Sequence, residues 1–293
     1  MKLICTSLLL VLSNALFAQQ ESVPGQFWNN QTHSNPAFAG LEHQLQGGAF
    51  YRDQWENVSG SPFNLYGFFN TRFGGDFGTG LNVDYGTIGF NENLNISVPI
   101  SYRLQINTKN TLAFGAALGY GSVKTEGLFI PPTPGEDPFL FEGKQELLLG
   151  QAGMAFDNKW ITASISARTI ELAKFNDSGN FDYEPHFYSM IRGKLPFGSY
   201  AGLLQNSMAM LDVLHSYQNG FQRLQLTARV QFRQRLTLFA GIINRSSYIV
   251  GGGWDFLQKL RATYSIEITN SPLTNTSNPT HEFSLVYQLP ISR

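Results

Sequence analysis

The chain has 293 residues, 14% of them charged and 14% aromatic, with 29 glycines and a formal charge of −1. Charge at that level is well below the ~25% of ordinary soluble domains. The near-neutral balance leaves no basic field for nucleic acid.

At the amino end, Met1-Lys2 precedes an apolar run from Leu3 to Leu12, and Ala15-Leu16-Phe17-Ala18 leads into Gln19-Gln20. One cation, a short apolar core and a small residue at the cut form a secretory signal peptide, with cleavage expected after Ala18. The run is too short to span a bilayer, which takes ~20 residues. Cys5, the only cysteine, leaves with the signal. The mature chain then has no thiol for disulfides, cysteine catalysis or thiolate metal sites. Removing Lys2 leaves 19 cationic against 21 anionic side chains, a formal charge of −2. The expected division is a signal over 1–18, an N-terminal periplasmic or plug segment over 19–42, and a barrel over 43–293.

Beyond residue 42 the dominant signal is period-two alternation. Leu94, Ile96, Val98, Ile100, Tyr102, Leu104 and Ile106 alternate with polar residues or proline, so the apolar groups of an extended chain fall on one face. Ile161 to Arg168, Leu224 to Arg233, Leu260 to Ile268 and Phe283 to Leu289 repeat the pattern. The polar faces carry mainly Gln, Asn, Ser, Thr and Gly with scattered Arg, unlike the Lys- and Glu-rich solvent face of a β-sandwich. The runs also reach the ~9–11 residues of a tilted membrane strand. Strands are expected over 43–52, 62–73, 77–86, 92–106, 111–123, 145–156, 159–170, 186–194, 205–216, 221–233, 235–244, 247–254, 258–268 and 281–289. The fold class is thus all-β, an outer-membrane-type transmembrane antiparallel β-barrel of about 14 strands, with 12 or 16 as alternatives. Pro99 lacks a ladder donor, which predicts a bulge or weakened pairing there.

The connections agree with this reading. Gly74-Gly75-Asp76, Asn107 to Asn110, Asp157-Asn158, Gln234 and Leu257 mark tight turns at one end. The long connections 124–144, 171–185 and 269–280 fall at the other, as expected of periplasmic turns and external loops. Trp160 and Trp254 are expected at the periplasmic interface, and Trp55 with Tyr51 at the opposite rim.

Chemistry-bearing patterns are weak. His33, His43, His186, His215 and His281 are expected as rim or loop residues. His281 and Ser284 are three apart and would face opposite sides of a strand. His281-Glu282 lacks the second histidine of a zinc-protease motif. Gly74 to Gly80 lacks the lysine of a phosphate loop, and no cofactor is expected. Ala113, Gly115, Ala117, Gly119 and Gly121 form a smooth inner stripe that could admit a plug or simply ease curvature. Inward Arg103, Arg168, Arg229, Arg233 and Arg261 are expected to pair with Glu267 and Glu282. Phe129, Ile130, Pro131, Pro132, Phe139 and Phe141 form a proline-stiffened external loop with exposed apolar side chains, a candidate partner contact.

Asn35-Pro36-Ala37-Phe38-Ala39-Gly40, Tyr51-Arg52-Asp53-Gln54-Trp55 and Ser61-Pro62 resemble the start of the PorP/SprF family. Gly80 to Gly86, Ser101 to Leu104 and the ending His281 to Tyr287 fit the same family, and Phe38 stands where a tyrosine is usual. The resemblance implies an outer-membrane component of the type IX secretion and gliding machinery of Bacteroidota, with no catalytic residues. It implies outer-membrane lipid, secretion components at the periplasmic face, and an adhesin-like exported client with a C-terminal sorting domain as partners. Asn35, Pro36, Gly40, Arg52 and Trp55 are the matching positions. An outer-membrane porin or hydrophobic-solute transporter is the alternative, and would need an open or gated lumen.

Overall fold

The computed structural model describes residues 23–55, 59–125, 143–177, 183–197, 204–257, 259–269 and 279–290. The expected signal peptide with its expected cut after Ala18, and the segment Phe129 to Phe141 expected as an external loop, lie outside the described residues.

The alternating runs form strands β1 (His43–Asp53), β2 (Phe63–Phe73), β3 (Phe77–Ile88), β4 (Asn91–Gln105), β5 (Asn110–Thr125), β6 (Gly143–Asn158) and β7 (Ile161–Asp177). They continue as β8 (His186–Phe197), β9 (Ser207–Gln218), β10 (Phe221–Phe232), β11 (Leu236–Ile243), β12 (Ser247–Phe256), β13 (Leu260–Thr269) and β14 (Thr280–Pro290). Each pairs antiparallel with its neighbours in sequence. The ring closes where β1 meets β14, from His43 opposite Pro290 to Asp53 opposite His281. The strand count is 14, which removes the alternatives of 12 and 16.

Hydrophobicity is inverted relative to a soluble domain. Leu118 is 60% exposed on the outer wall, as are Ile100, Ile165, Leu195 and Leu224 to a similar degree. Gln225, Thr227 and Arg229, which interleave with Leu224 and Leu226, are buried inside. Such a surface is stable only in lipid, where the closed ladder satisfies the backbone. No described helix is long and apolar enough to cross a membrane. Trp160 and Trp254 stand exposed at the short-turn end, and Trp55 at the long-loop end.

The turns explain the register. Gly74-Gly75, Asn219-Gly220, Arg233-Gln234 and Asn244-Arg245 all have positive φ at both positions. Paired positive φ gives a turn whose twist matches the strands it joins; at Asn219-Gly220 it forms a two-residue loop between Gln218 and Phe221, and at the other three a third residue follows before pairing starts.

Two irregularities refine the expected pattern. Opposite Pro99 the β3–β4 ladder lacks two pairs, Gly80 and Leu81 against Val98 and Pro99. Register is identical on both sides of the gap, so the proline weakens pairing without a bulge. Strand β7 runs to Asp177 rather than stopping near 170. Its last pair with β8 is Arg168 with His186, after which it follows β6 alone through three register shifts. Thr169 adopts φ 55 at that departure. A break in period at the shifts is why alternation ceases to mark the strand.

The fold makes a direct expectation. Purified in mild detergent, the protein should give a strand-dominated circular dichroism spectrum and migrate faster on a gel before boiling than after. Ready solubility as a monomer without detergent would contradict the barrel.

Candidate functional site

Residues 23–41 lie buried inside the barrel, against its inward-facing side chains. Three short turns, Phe27–Asn29, Gln31–Ser34 and Pro36–Phe38, fold this segment, and all three are buried. Asn30 caps the second by accepting from the His33 amide, and Asn35 caps the third by accepting from the Ala37 amide. These caps are what asparagine does at a helix start, and Pro36 follows at the position where its missing N–H costs nothing.

The segment's apolar side chains find an answering patch in the wall. Val23, Phe27, Trp28, Ala37, Phe38 and Leu41 pack against Ala113, Ala155, Tyr188, Met190, Leu214, Phe239, Ile243 and Ile249. The Trp28 and Phe239 rings meet edge to face at 4.8 Å. Where the wall faces the segment's backbone, it is small. A Cβ on Gly115 would fall on the backbone of Pro36 and Ala37, one on Gly153 on the Asn35 side chain, and one on Gly78 on the Ala39 carbonyl. Of the two readings of the smooth stripe, room for a plug is therefore the structural one at Gly115.

Polar contacts fix the segment from end to end. Glu282 accepts from the amides of Gly25 at 2.8 Å and Gln26 at 2.7 Å, and from Arg52 at 2.9 Å. Arg52 is 1% exposed and also meets Glu267 at 2.8 Å. One cation thus bridges two carboxylates, and one of those holds the segment's backbone. Gln26 reaches Ser265, and Asn29 reaches Thr263 and Ser284. Deeper, Asp84 binds His33 at 3.2 Å and Arg168 at 2.7 Å, while Arg168 donates to the His33 carbonyl. Asn35 donates to the carbonyls of Met154 and Ile165, and Ser101 to that of Ala39. At the base, Arg72 donates to the carbonyls of Gly40 and Leu41.

Four of the five family-motif positions meet in this assembly. Asn35 and Pro36 shape the segment and Arg52 clamps it. Gly40 turns it toward β1 at φ 65, where a Cβ would also lie 3.0 Å from the Thr71 carbonyl. Trp55, 36% exposed at the rim, stands apart.

The expected arginine partners are mostly replaced. Arg168 pairs with Asp84, Arg229 with Asp212 at 2.6 Å, Arg261 with Asp255 at 2.6 Å and Arg103 with Asp76 at 3.4 Å. Glu267 and Glu282 are taken by Arg52 instead, because the β1–β14 seam brings it beside them. Arg192 shares Asp212 with Arg229, whose guanidinium also lies 4.8 Å from the Trp28 ring centre. His33 and His186 are buried in the lumen rather than placed at a rim. His281 and Ser284 do face opposite sides, His281 toward Tyr264 and Ser284 toward Gln26. Among the described residues no group of three His, Cys, Asp or Glu is placed to hold a metal ion. The segment's partners in the wall were not legible, since Trp28, Asp84 and Asp212 carry no local motif.

A family model described as type IX secretion system membrane protein PorP/SprF matches residues 16–287. Comparison with curated protein sequences finds no match. Among solved structures the chain is similar to the CymD monoaromatic hydrocarbon channel, with TM-score 0.55, 11% identity, and 93% of this chain and 94% of that one covered. It is also similar to the Ralstonia pickettii toluene transporter TbuX, with TM-score 0.52, 11% identity and coverage of 89% and 93%. Likeness at such identity shows the fold alone.

Two substitutions test the assembly. Arg52→Met leaves Glu282 without its cation and Glu267 with only Arg223, at 3.9 Å, and should cost about 3–5 kcal/mol of stability, read as a lower midpoint of heat-modifiable gel mobility. Gly115→Leu should displace the segment and raise single-channel conductance in planar bilayers above that of the wild type. Unchanged conductance with an intact barrel would show that the luminal segment does not seal it.

Proposed function

The chain belongs to the PorP/SprF family of type IX secretion system membrane proteins, and from that premise we propose that it is a non-enzymatic outer-membrane partner of the secretion machinery. In this reading it engages secretion components at its periplasmic face and an adhesin-like client, bearing a C-terminal sorting domain, at its outer face. Residues 1–18 are the cleaved signal, 19–42 the plug segment and 43–293 the barrel.

The observation that supports the reading best is the buried segment that occupies the lumen. With Trp28, Phe27 and Phe38 packed across the interior, the surfaces left for partners are the two rims and the outer wall. A passive porin needs a water-filled path, and a solute transporter needs this segment to move. The fold likeness to proteins described as hydrocarbon channels favours the transporter alternative, and the paired, capped segment weighs against it. Phe129, Ile130, Pro131, Pro132, Phe139 and Phe141 supply the candidate docking loop at the outer rim.

Deleting the gene should trap one or a few surface proteins inside the cell or release them into the medium, with little change in general permeability. Trimming residues 127–141 should weaken client attachment while the barrel still assembles. An unchanged surface proteome, together with lost uptake of small apolar solutes, would promote the transporter instead.

A further inference from the structure

The two ends of the barrel differ in charge. Among the described residues, the turns β2–β3, β4–β5, β6–β7, β10–β11 and β12–β13 expose the cations Lys109, Lys159, Arg233, Arg235 and Lys259 against the anion Asp76. The tight turns at the opposite end, 89–90, 219–220 and 244–246, expose Arg245 alone. At the short-turn end Arg103 pairs with Asp76 and Arg261 with Asp255. Lys109, Lys159, Arg235 and Lys259 form no ion pair among the described residues. These cations stand beside the aromatic belt of the outer wall. Lys159 Nζ lies 4.7 Å from the centre of the Trp160 ring. Arg235, Trp254, Asp255, Phe256 and Leu257 line a surface cavity of about 330 Å³. The Asp255 amide donates to the Arg235 carbonyl at 2.7 Å, which sets the β10–β11 turn against the foot of β12. Trp254 and Phe256 face outward, and Leu257 is 92% exposed with φ 52. A residue other than glycine rarely adopts that conformation, and here it holds a large apolar group at a turn. Lys259 follows two residues later.

We propose that this cavity binds an anionic phospholipid of the periplasmic leaflet. Short turns face the periplasm in barrels of this type, and an exposed tryptophan such as Trp254 sits at the level of the headgroups. Arg235 offers the lipid phosphate a planar pair of donors, and Lys259 adds a second cation. A zwitterionic headgroup brings its own cation to the phosphate, whereas an anionic one leaves that charge to the protein. Trp254, Phe256 and Leu257 cover the glycerol and the first methylenes of the acyl chains. Leu257 thereby gains the apolar cover that its own chain does not give it. The occupant follows from the wall: Trp254 and Phe256 continue the outward apolar surface that lies in lipid, so lipid meets the cavity first. An acidic protein would answer the cations only by displacing lipid from those two rings. This inference stands on the wall and its turns and does not depend on the secretion reading.

The test uses the full-length barrel in phosphatidylcholine vesicles containing a minor fraction of lipid brominated on its acyl chains, which quenches nearby tryptophan. Trp55→Phe and Trp160→Phe leave Trp254 as the tryptophan at the lipid surface, since Trp28 is buried in the lumen. We expect brominated phosphatidylglycerol to quench Trp254 more strongly than brominated phosphatidylcholine at the same fraction. Arg235→Gln and Lys259→Gln should each lower the relative affinity for the anionic lipid about fivefold. Arg235→Lys, which preserves the charge, should retain more of the preference than Arg235→Gln. Arg245→Gln, at the opposite end, should leave it unchanged. Heat-modifiable gel mobility checks that each variant has formed the barrel. A preference that survives both glutamine substitutions would overturn the proposal. So would equal quenching by the two lipids in the parent, and a co-purifying acidic protein lost on Arg235→Gln would then assign the turn to protein docking.

Discussion

A bilayer core offers the peptide backbone no hydrogen-bond partner, and an unsatisfied donor or acceptor there costs several kcal/mol. The ladder must therefore return to its start, and here β1 closes on β14 through a run of pairs that ends with Asp53 opposite His281. Closure fixes everything inside it. Once the ring is shut, alternate residues of every strand face one interior, and residues more than two hundred positions apart become neighbours. Arg52 and Glu282, directly opposite across the seam, are the clearest case.

The interior so created is a poor place for an isolated charge, and its charges are shared. Arg52 spans Glu267 and Glu282, Asp212 lies between Arg192 and Arg229, and Asp84 between His33 and Arg168. Attraction within each group offsets the desolvation of its members, and removing one member exposes the others to the full penalty. All three groups touch the luminal segment, the first through the amides of Gly25 and Gln26, the second through His33 and the third through Arg192 with Glu42. The third also reaches it through Arg229 over Trp28. Electrostatics and apolar packing thus specify one seating of the segment, which is how a short stretch without long helices holds a single shape.

The barrel was legible because its signals are local. Period-two alternation over nine or more residues and turns such as Gly74-Gly75-Asp76 state strand and connection within a short window. Even Pro99 announced its gap. Legibility failed where the cause is distant. The continuation of β7 past Thr169 depends on register shifts against β6, and shifts erase the alternation that would have marked it. Glu267 and Glu282 were recognised as luminal anions, yet their partner Arg52 belongs to the other side of the seam. Asn35, Pro36, Gly40 and Arg52 stood out as family positions, but only the folded lumen explains why an asparagine cap, a proline and a positive-φ glycine belong together there. His33 resembled a loop residue because nothing near it in sequence announces Asp84.

A segment that runs through a ring formed by its own chain is threaded, and threading has consequences for order in time. The contacts of Gln26 and Asn29 with β13 and β14 span more than 230 positions, so they form only as the last strands arrive. The seam then closes around a chain already in place. Insertion after closure would have to re-form together the packing of Phe27, Trp28 and Phe38 and the bonds of Glu282 to Gly25 and Gln26. Withdrawal meets the same barrier in reverse. Exchange of this segment with bulk solvent should thus follow the slow clock of breaking those contacts together, not the fast clock of side-chain motion.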